Sequence, residues 1–224
     1  MIALILQGRI DSSRLSGKCL LPLEGEPLIL RVMEALGMVP CDIRILACPE
    51  DCRASFKKSA EKAGFEIVTG SEDDVLERYC NAIRRYSPEW IIRATADNHF
   101  VFADAAEMIT KETRALQADY GGYAGLPLGA GVEAVKAEAL LKAEKESTIK
   151  EHREHVSPYL YNNAELFKLH RPLAPREWQD PNLRLTVDIH EDYLRAQKLY
   201  RLLHEKTMGL ERYWGTTIIK AANS

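Results

Sequence analysis

The chain has 224 residues, 46% hydrophobic and 28% charged, a balance that supports one compact core rather than a disordered or fibrous chain. Thirty basic and 33 acidic side chains leave a formal charge of −3, which excludes a broad nucleic-acid footprint, since that needs a basic excess or stripe. No apolar run reaches membrane-span length, and an odd count of five cysteines behind an amino terminus, "MIALIL", without a basic export signal predicts a soluble cytoplasmic protein without a disulfide framework or a membrane partner.

In chain order, "IALIL" reads as a buried strand and "PLILRVMEALGMV" as a helix with apolar residues at Leu28, Val32, Ala35, Leu36 and Val39. "IRILAC" is a second strand, residues 50–64 a second helix and "FEIVTG" a third strand. "SEDDVLERYCNAIRRY" opens as a capped helix in which Ser71 accepts from the Asp74 amide and the Asp74 carboxylate answers back. "EWIIRATA" is a fourth strand and residues 103–116 a helix. Strand and helix in turn, with strands apolar on both faces, predict an α/β fold, a parallel sheet covered on both sides. Beyond it lie a glycine-rich connection ("YGGYAGLPLGAG"), a strand running into a helix ("VEAVKAEALLKAEKE") and a helical stretch that lasts until Pro158 ("TIKEHREHVSPYLYNN"). "ELFKLHRPL" and "LRLTVD" read as strands and residues 190–205 as a helix. We expect one domain over 1–224, with a less regular substrate or dimerisation region at about 125–180.

Ligands of open parallel sheets bind beyond the carboxyl ends of the strands. The loop after the first strand, "QGRIDSSRLSGK", carries Arg9, Arg14 and Lys18, hydroxyls on Ser12 and Ser13, and glycines at 8 and 17, a set suited to a polyphosphate. It is not a Walker A loop, because eight residues separate its glycines and Cys19 follows the lysine. No strand leads into G-x-G-x-x-G, which disfavours a nicotinamide enzyme. Two further predicted strands end in acids, Asp97 and Asp188. Taken singly, each reads better as a helix cap; the repetition opposite a basic loop points to a magnesium site shared with phosphate oxygens. Cys48-x3-Cys52 lacks the second ligand pair that zinc requires, and His152 and His155 read as packing or capping residues before catalytic ones.

"LQGRIDSSRLSGKCLLPLEGEPLI" resembles the signature of the cytidylyltransferase family, which includes the CMP-sugar synthetases, and "GSEDDVLERY", "REHVSPY" and "LRLTVDIHEDY" resemble its spore-coat polysaccharide group. The resemblance runs from Ile2 to about Tyr200. It implies a Rossmann-like, GT-A-like nucleotidyltransferase fold and a reaction in which a sugar oxygen attacks the α-phosphorus of a nucleoside triphosphate and expels pyrophosphate; CTP is the expected triphosphate, with the choice of cytosine over uracil left open by the sequence. It implies that Gln7, Gly8 and Arg9 lie against the nucleotide, that Ser12, Ser13, Arg14 and Lys18 hold phosphates, and that Asp97 and Asp188 hold Mg²⁺. Asn98, Glu133, Arg153 and His155 would lie toward the sugar or a subunit interface, with "HREHVSPYLYNN" as a homodimer face.

The chain departs from the family pattern inside this site. Asp11, Ala96 and His99 replace two glycines and a proline, Ser16 replaces a proline, and an acid is missing from Gly129-Ala130-Gly131-Val132-Glu133. Two other readings follow. A glycosyltransferase using a nucleotide-sugar donor usually shows Asp-x-Asp, which the chain lacks, and the departures admit a nucleotide-binding relative without turnover.

Overall fold

The computed structural model describes residues 1–11, 14–206, 211 and 213–224. The first strand, β1 (Ile2–Gln7), is buried on both sides. Leu4 and Leu6 enter one apolar cluster, Ala3 and Ile5 another. Successive side chains point to opposite faces of a strand, so this arrangement requires a sheet covered on both faces. Full burial of each such leucine contributes about 1.5–3 kcal/mol.

A small hairpin of β2 (Pro22–Leu23) and β3 (Glu26–Pro27) leads into α1 (Leu28–Leu36). Strands and helices then alternate: β4 (Ile43–Pro49), α2 (Arg53–Ala63), β5 (Glu66–Gly70), α3 (Val75–Tyr86), β6 (Trp90–Thr95) and α4 (Ala103–Ala115). β1 lies between β4 and β6, and β5 flanks β4, all parallel. After them come β7 (Tyr120–Gly121), β8 (Glu133–Lys136), α5 (Ala137–Glu146), α6 (Lys150–His155), α7 (Pro158–Tyr161), β9 (Leu169–His170), α8 (His190–Lys206) and α9 (Gly215–Ala222). The described residues form a seven-stranded sheet, β5-β4-β1-β6-β8-β7-β9, in which β8 runs antiparallel to its neighbours. α1, α2, α4, α8 and α9 pack on one face and α3, α5 and α7 on the other. This is the expected α/β architecture, a mostly parallel sheet between two helical layers.

Three local expectations change. "LRLTVD" is not a strand: only Arg184 makes a bridge, to Leu128. The segment runs extended outside the sheet, with Leu185 N bonded to Leu128 O at 2.8 Å and Val187 N to Asp97 O at 3.0 Å. Leu185 and Val187 are buried, which produces the alternation of a strand, but their backbone partners are turns. The helical stretch after Ile149 breaks at Val156, whose φ is 70°. Pro158 then starts α7 rather than ending a helix, at a position where its missing N–H is not needed. At α3, Ser71 does accept from the Asp74 amide (3.2 Å), but the return bond to Ser71 N comes from Glu77 (2.8 Å). Asp74 is itself the cap, accepting from Glu77 N at 2.9 Å.

Candidate active site

The basic loop leaves β1 at Gln7 and passes close to the end of β6. A Cβ on Gly8 would lie 3.2 Å from the Ala96 side chain, so the space taken by Ala96 is returned by the glycine opposite. Gly17, at φ 64°, turns the chain into a single 3-10 turn over Lys18–Leu20, a backbone that favours glycine. Cys19 Sγ donates to Arg9 O at 3.3 Å and ties the two ends of the loop together. Burial pushes the Cys19 thiol up to about 12, so it remains a thiol.

The turn aims Lys18 at both predicted acids. Its Nζ donates to Asp97 Oδ2 (3.2 Å), Asp188 Oδ1 (3.0 Å) and Val187 O (2.9 Å). Asp97 comes from the end of β6. Asp188 comes from the extended segment laid across that end, held there by Val187 N and the Thr186 hydroxyl, both donating to Asp97 O. Gly129 permits this close approach: its φ is 94°, and a Cβ there would lie 2.6 Å from Thr186 N. Arg14 Nη2 reaches Asp188 Oδ1 at 2.9 Å and Arg184 Nη2 reaches Oδ2 at 2.8 Å. Behind them, Asp192 accepts from Asp188 N and Ile189 N at the start of α8 and binds Arg184 Nε at 3.0 Å. Burial opposes ionisation of Asp97, but the Lys18 ammonium and hydrogen bonds from Thr95 and the backbone together outweigh it, and the carboxyl sits below its ordinary range. Asp192 is likewise lowered: burial works against it, and Arg184 and the two amides outweigh that.

Two carboxylates focused on one cation supply the hard-oxygen chemistry that a divalent ion takes. No third His, Cys, Asp or Glu joins them among the described residues, so further ligand positions are left to phosphate oxygens and water.

These residues line a cleft of about 410 Å³, together with Gln7, Gly8, Arg9, Asn98 and His155. Asp11 lines it too and is exposed. Ser12 and Ser13 lie outside the described residues. A second cavity of about 250 Å³ shares Arg93, Thr95 and Asn98 with the cleft and is lined by Glu133, Tyr120, Tyr123 and Arg171. Glu133 thus belongs to this neighbour rather than to the cleft. It accepts from Arg93 (2.7 Å), Tyr120 OH (2.8 Å) and Ser157 Oγ (2.6 Å), while Arg93 also donates to Gln7 Oε1 at 3.1 Å. Burial opposes the Glu133 charge, and Arg93 with the Ser157 and Tyr120 hydroxyls together outweighs it, so the carboxyl sits below its ordinary range. Arg153 is not brought to either cavity. Its guanidinium holds the Asp74 carboxylate that caps α3 and donates to Glu144 O at 2.5 Å.

Two other histidines are buried. His152 is buried against Ser147 Oγ at 3.0 Å. His99 is buried beside Phe100, and burial lowers its pKa to about 4, so its ring is neutral near pH 7. Sequence reasoning missed Arg78, Arg93, Arg184 and Asp192. An arginine inside the apolar run "WIIRAT" is a readable signal for Arg93, because a buried strand keeps a charge only with a partner. Arg78, 1% exposed and donating to Ser71 O and Glu72 O, looks from sequence like a surface charge on an amphipathic helix.

The cytidylyltransferase family model matches residues 3–213. The chain is 30% identical over 212 residues to the spore coat polysaccharide biosynthesis protein SpsF of Bacillus subtilis, covering 92% of this chain and 88% of that one. A cytidylyltransferase from Leptospira borgpetersenii superposes with a TM-score of 0.87 at 22% identity, over 99% of this chain and 93% of that one. A CMP-2-keto-3-deoxy-manno-octonic acid synthetase in complex with CTP superposes with a TM-score of 0.67 at 14% identity, over 92% and 99%. The chain belongs to the cytidylyltransferase family and is a nucleotidyltransferase.

Proposed function

We propose that the chain is a Mg²⁺-dependent cytidylyltransferase that moves CMP from CTP to a sugar, for a surface polysaccharide or glycan. The observation that carries this reading is the meeting of Arg9, Arg14 and Lys18 with Asp97 and Asp188 at one cleft, in a member of this family. The name of the B. subtilis relative supports the polysaccharide, and the CTP-bound synthetase supports the nucleotide.

In the reaction a sugar hydroxyl oxygen bonds to the α-phosphorus, the bond to the pyrophosphate oxygen breaks and the hydroxyl proton passes to water. Such a transfer needs in-line positioning and neutralisation of charge on the α-phosphate and leaving group. Arg9, Arg14 and Lys18 supply that charge on one side of the cleft. Mg²⁺, when held by Asp97 and Asp188, supplies more of it at the same phosphates. Gln7 and Gly8 face the nucleoside. Asn98, on the wall common to both cavities, faces the acceptor, as do His155 in the cleft and Glu133, which shapes the second cavity through Arg93. Arg153 acts indirectly, as a brace. The chain works as one domain in the cytoplasm, with residues 152–163 as the face for a second copy.

The test is a pyrophosphate-release assay with CTP or UTP, Mg²⁺ and a panel of acidic and amino sugars. Release that depends on sugar and is faster with CTP is expected. No release from any combination overturns the reading.

A further inference from the structure

We propose that Lys18 and Arg14 close the acid pair to a divalent cation until the phosphates of a nucleotide draw them off, so that the metal enters only together with the polyphosphate. This rests on the functional reading above and adds an order of binding to it.

The closure is complete in hydrogen-bonding terms. An ammonium has three donors, and Lys18 spends them on Asp97 Oδ2, Asp188 Oδ1 and Val187 O, at 3.2, 3.0 and 2.9 Å. Asp188 is engaged on both oxygens, Oδ1 by Lys18 and Arg14, Oδ2 by Arg184. It is also complete in charge. Three carboxylates, Asp97, Asp188 and Asp192, face four cations, Arg14, Lys18, Arg184 and Arg195. A divalent ion brought to this cluster alone meets a net positive charge and must break ion pairs in a partly dry site, where repulsion between like charges is poorly screened.

The four cations are not equally free to leave. Arg184 is anchored by a second contact to Asp192, which is itself spent on the backbone at the start of α8. Arg14 and Lys18 ride on the loop. Arg14 has a side chain 62% exposed and touches Asp188 through Nη2. Lys18 reaches the acids on a flexible four-carbon stem from the turn at Gly17. A triphosphate entering the cleft carries more negative charge than either carboxylate and is the stronger partner for both. Their departure uncovers Asp97 Oδ2 and Asp188 Oδ1 at once.

The sign of the expected effect separates this from ordinary site building. A residue that merely lines a metal site weakens binding when lost. Loss of Lys18 should strengthen it. The experiment is Mn²⁺ titration of the full chain by electron paramagnetic resonance, without nucleotide, comparing wild type, Lys18→Met and Arg14→Gln. Lys18→Met is expected to bind Mn²⁺ at least about tenfold more tightly than wild type, and Arg14→Gln more tightly by a smaller factor. Asp97→Asn added to Lys18→Met should abolish the gain, which places the ion at the acids. Melting gives an independent readout: Mn²⁺ alone leaves wild type unchanged but raises the melting temperature of Lys18→Met, whose acids have lost their partner. Equal Mn²⁺ affinity in wild type and both variants, or weaker binding in the variants, overturns the proposal. If Lys18→Met does not fold, Arg14→Gln decides alone. The titration contains no nucleotide and reads no turnover, so its failure is separate from failure of the pyrophosphate assay.

Discussion

The Arg93–Glu133 network and the Lys18–Asp97–Asp188 cluster lie on neighbouring walls, and both neutralise buried acids with basic side chains. They differ in the backbone that carries the charges. Arg93 and Glu133 are register partners on the antiparallel strands β6 and β8, so their separation is fixed by the sheet, and Tyr120, Ser157 and Gln7 add hydrogen bonds to the pair, leaving Arg93 Nε as its one buried donor without a partner among the described residues. In the other cluster the acids sit on a strand end and an extended segment, while two of the cations ride on a loop. Fixed charges on both sides make a rivet. Fixed charges facing movable ones make a site that can exchange its contents. On the proposed reading, identical side-chain chemistry thus serves stability in one place and binding in the other.

Three substitutions can break or sharpen that contrast. Glu133→Gln leaves Arg93 buried beside a neutral partner, and unpairing a buried ion costs roughly 3–5 kcal/mol. Denaturant unfolding should show this loss, and a melting curve like wild type would remove the rivet. Asp188→Asn should do the reverse. The fold keeps its melting temperature within a few degrees while pyrophosphate release falls on the order of 100-fold, or about 2.7 kcal/mol of transition-state stabilisation. A stability loss equal to that of Glu133→Gln would show that the cleft cluster is structural as well. The smallest effect is expected for Arg153→Met, which unties Asp74 and the carbonyl of Glu144 at roughly 1–2 kcal/mol of stability with little change in the KM for sugar. A large rise in that KM at unchanged stability would move Arg153 from brace to acceptor contact.

The contrast also marks what a linear reading reaches. β1, β4, β5 and β6 are continuous apolar runs bounded by turn residues, and the family signature sits on the loop between β1 and α1; both are local signals. Lys18, Asp97 and Asp188 were found the same way, because each ends a recognisable stretch. The two-residue strands β7 and β9 carry no period to detect. The segment before Asp188 imitates a strand because burial of Leu185 and Val187 is independent of what their backbone bonds to. Arg93 with Glu133, and Arg153 with Asp74, are pairings 40 and 79 residues apart, set by strand register and helix packing. No local pattern encodes those distances, so neither the Arg93–Glu133 pairing nor the Arg153–Asp74 pairing is legible in the sequence.

The Gly129 turn has a bearing on retargeting. Through Leu128 it is bonded to Leu183 and Leu185, and that segment is bonded to Asp97 through Val187 N, so backbone hydrogen bonds run from the loop beside the second cavity to the segment that carries Asp188. Grafting a new 122–131 loop to change which sugar is taken would therefore displace a carboxylate nearly sixty positions downstream. On the proposed reading, selectivity and turnover are then geared to each other, and a library that varies the loop should vary residues 183–187 alongside it.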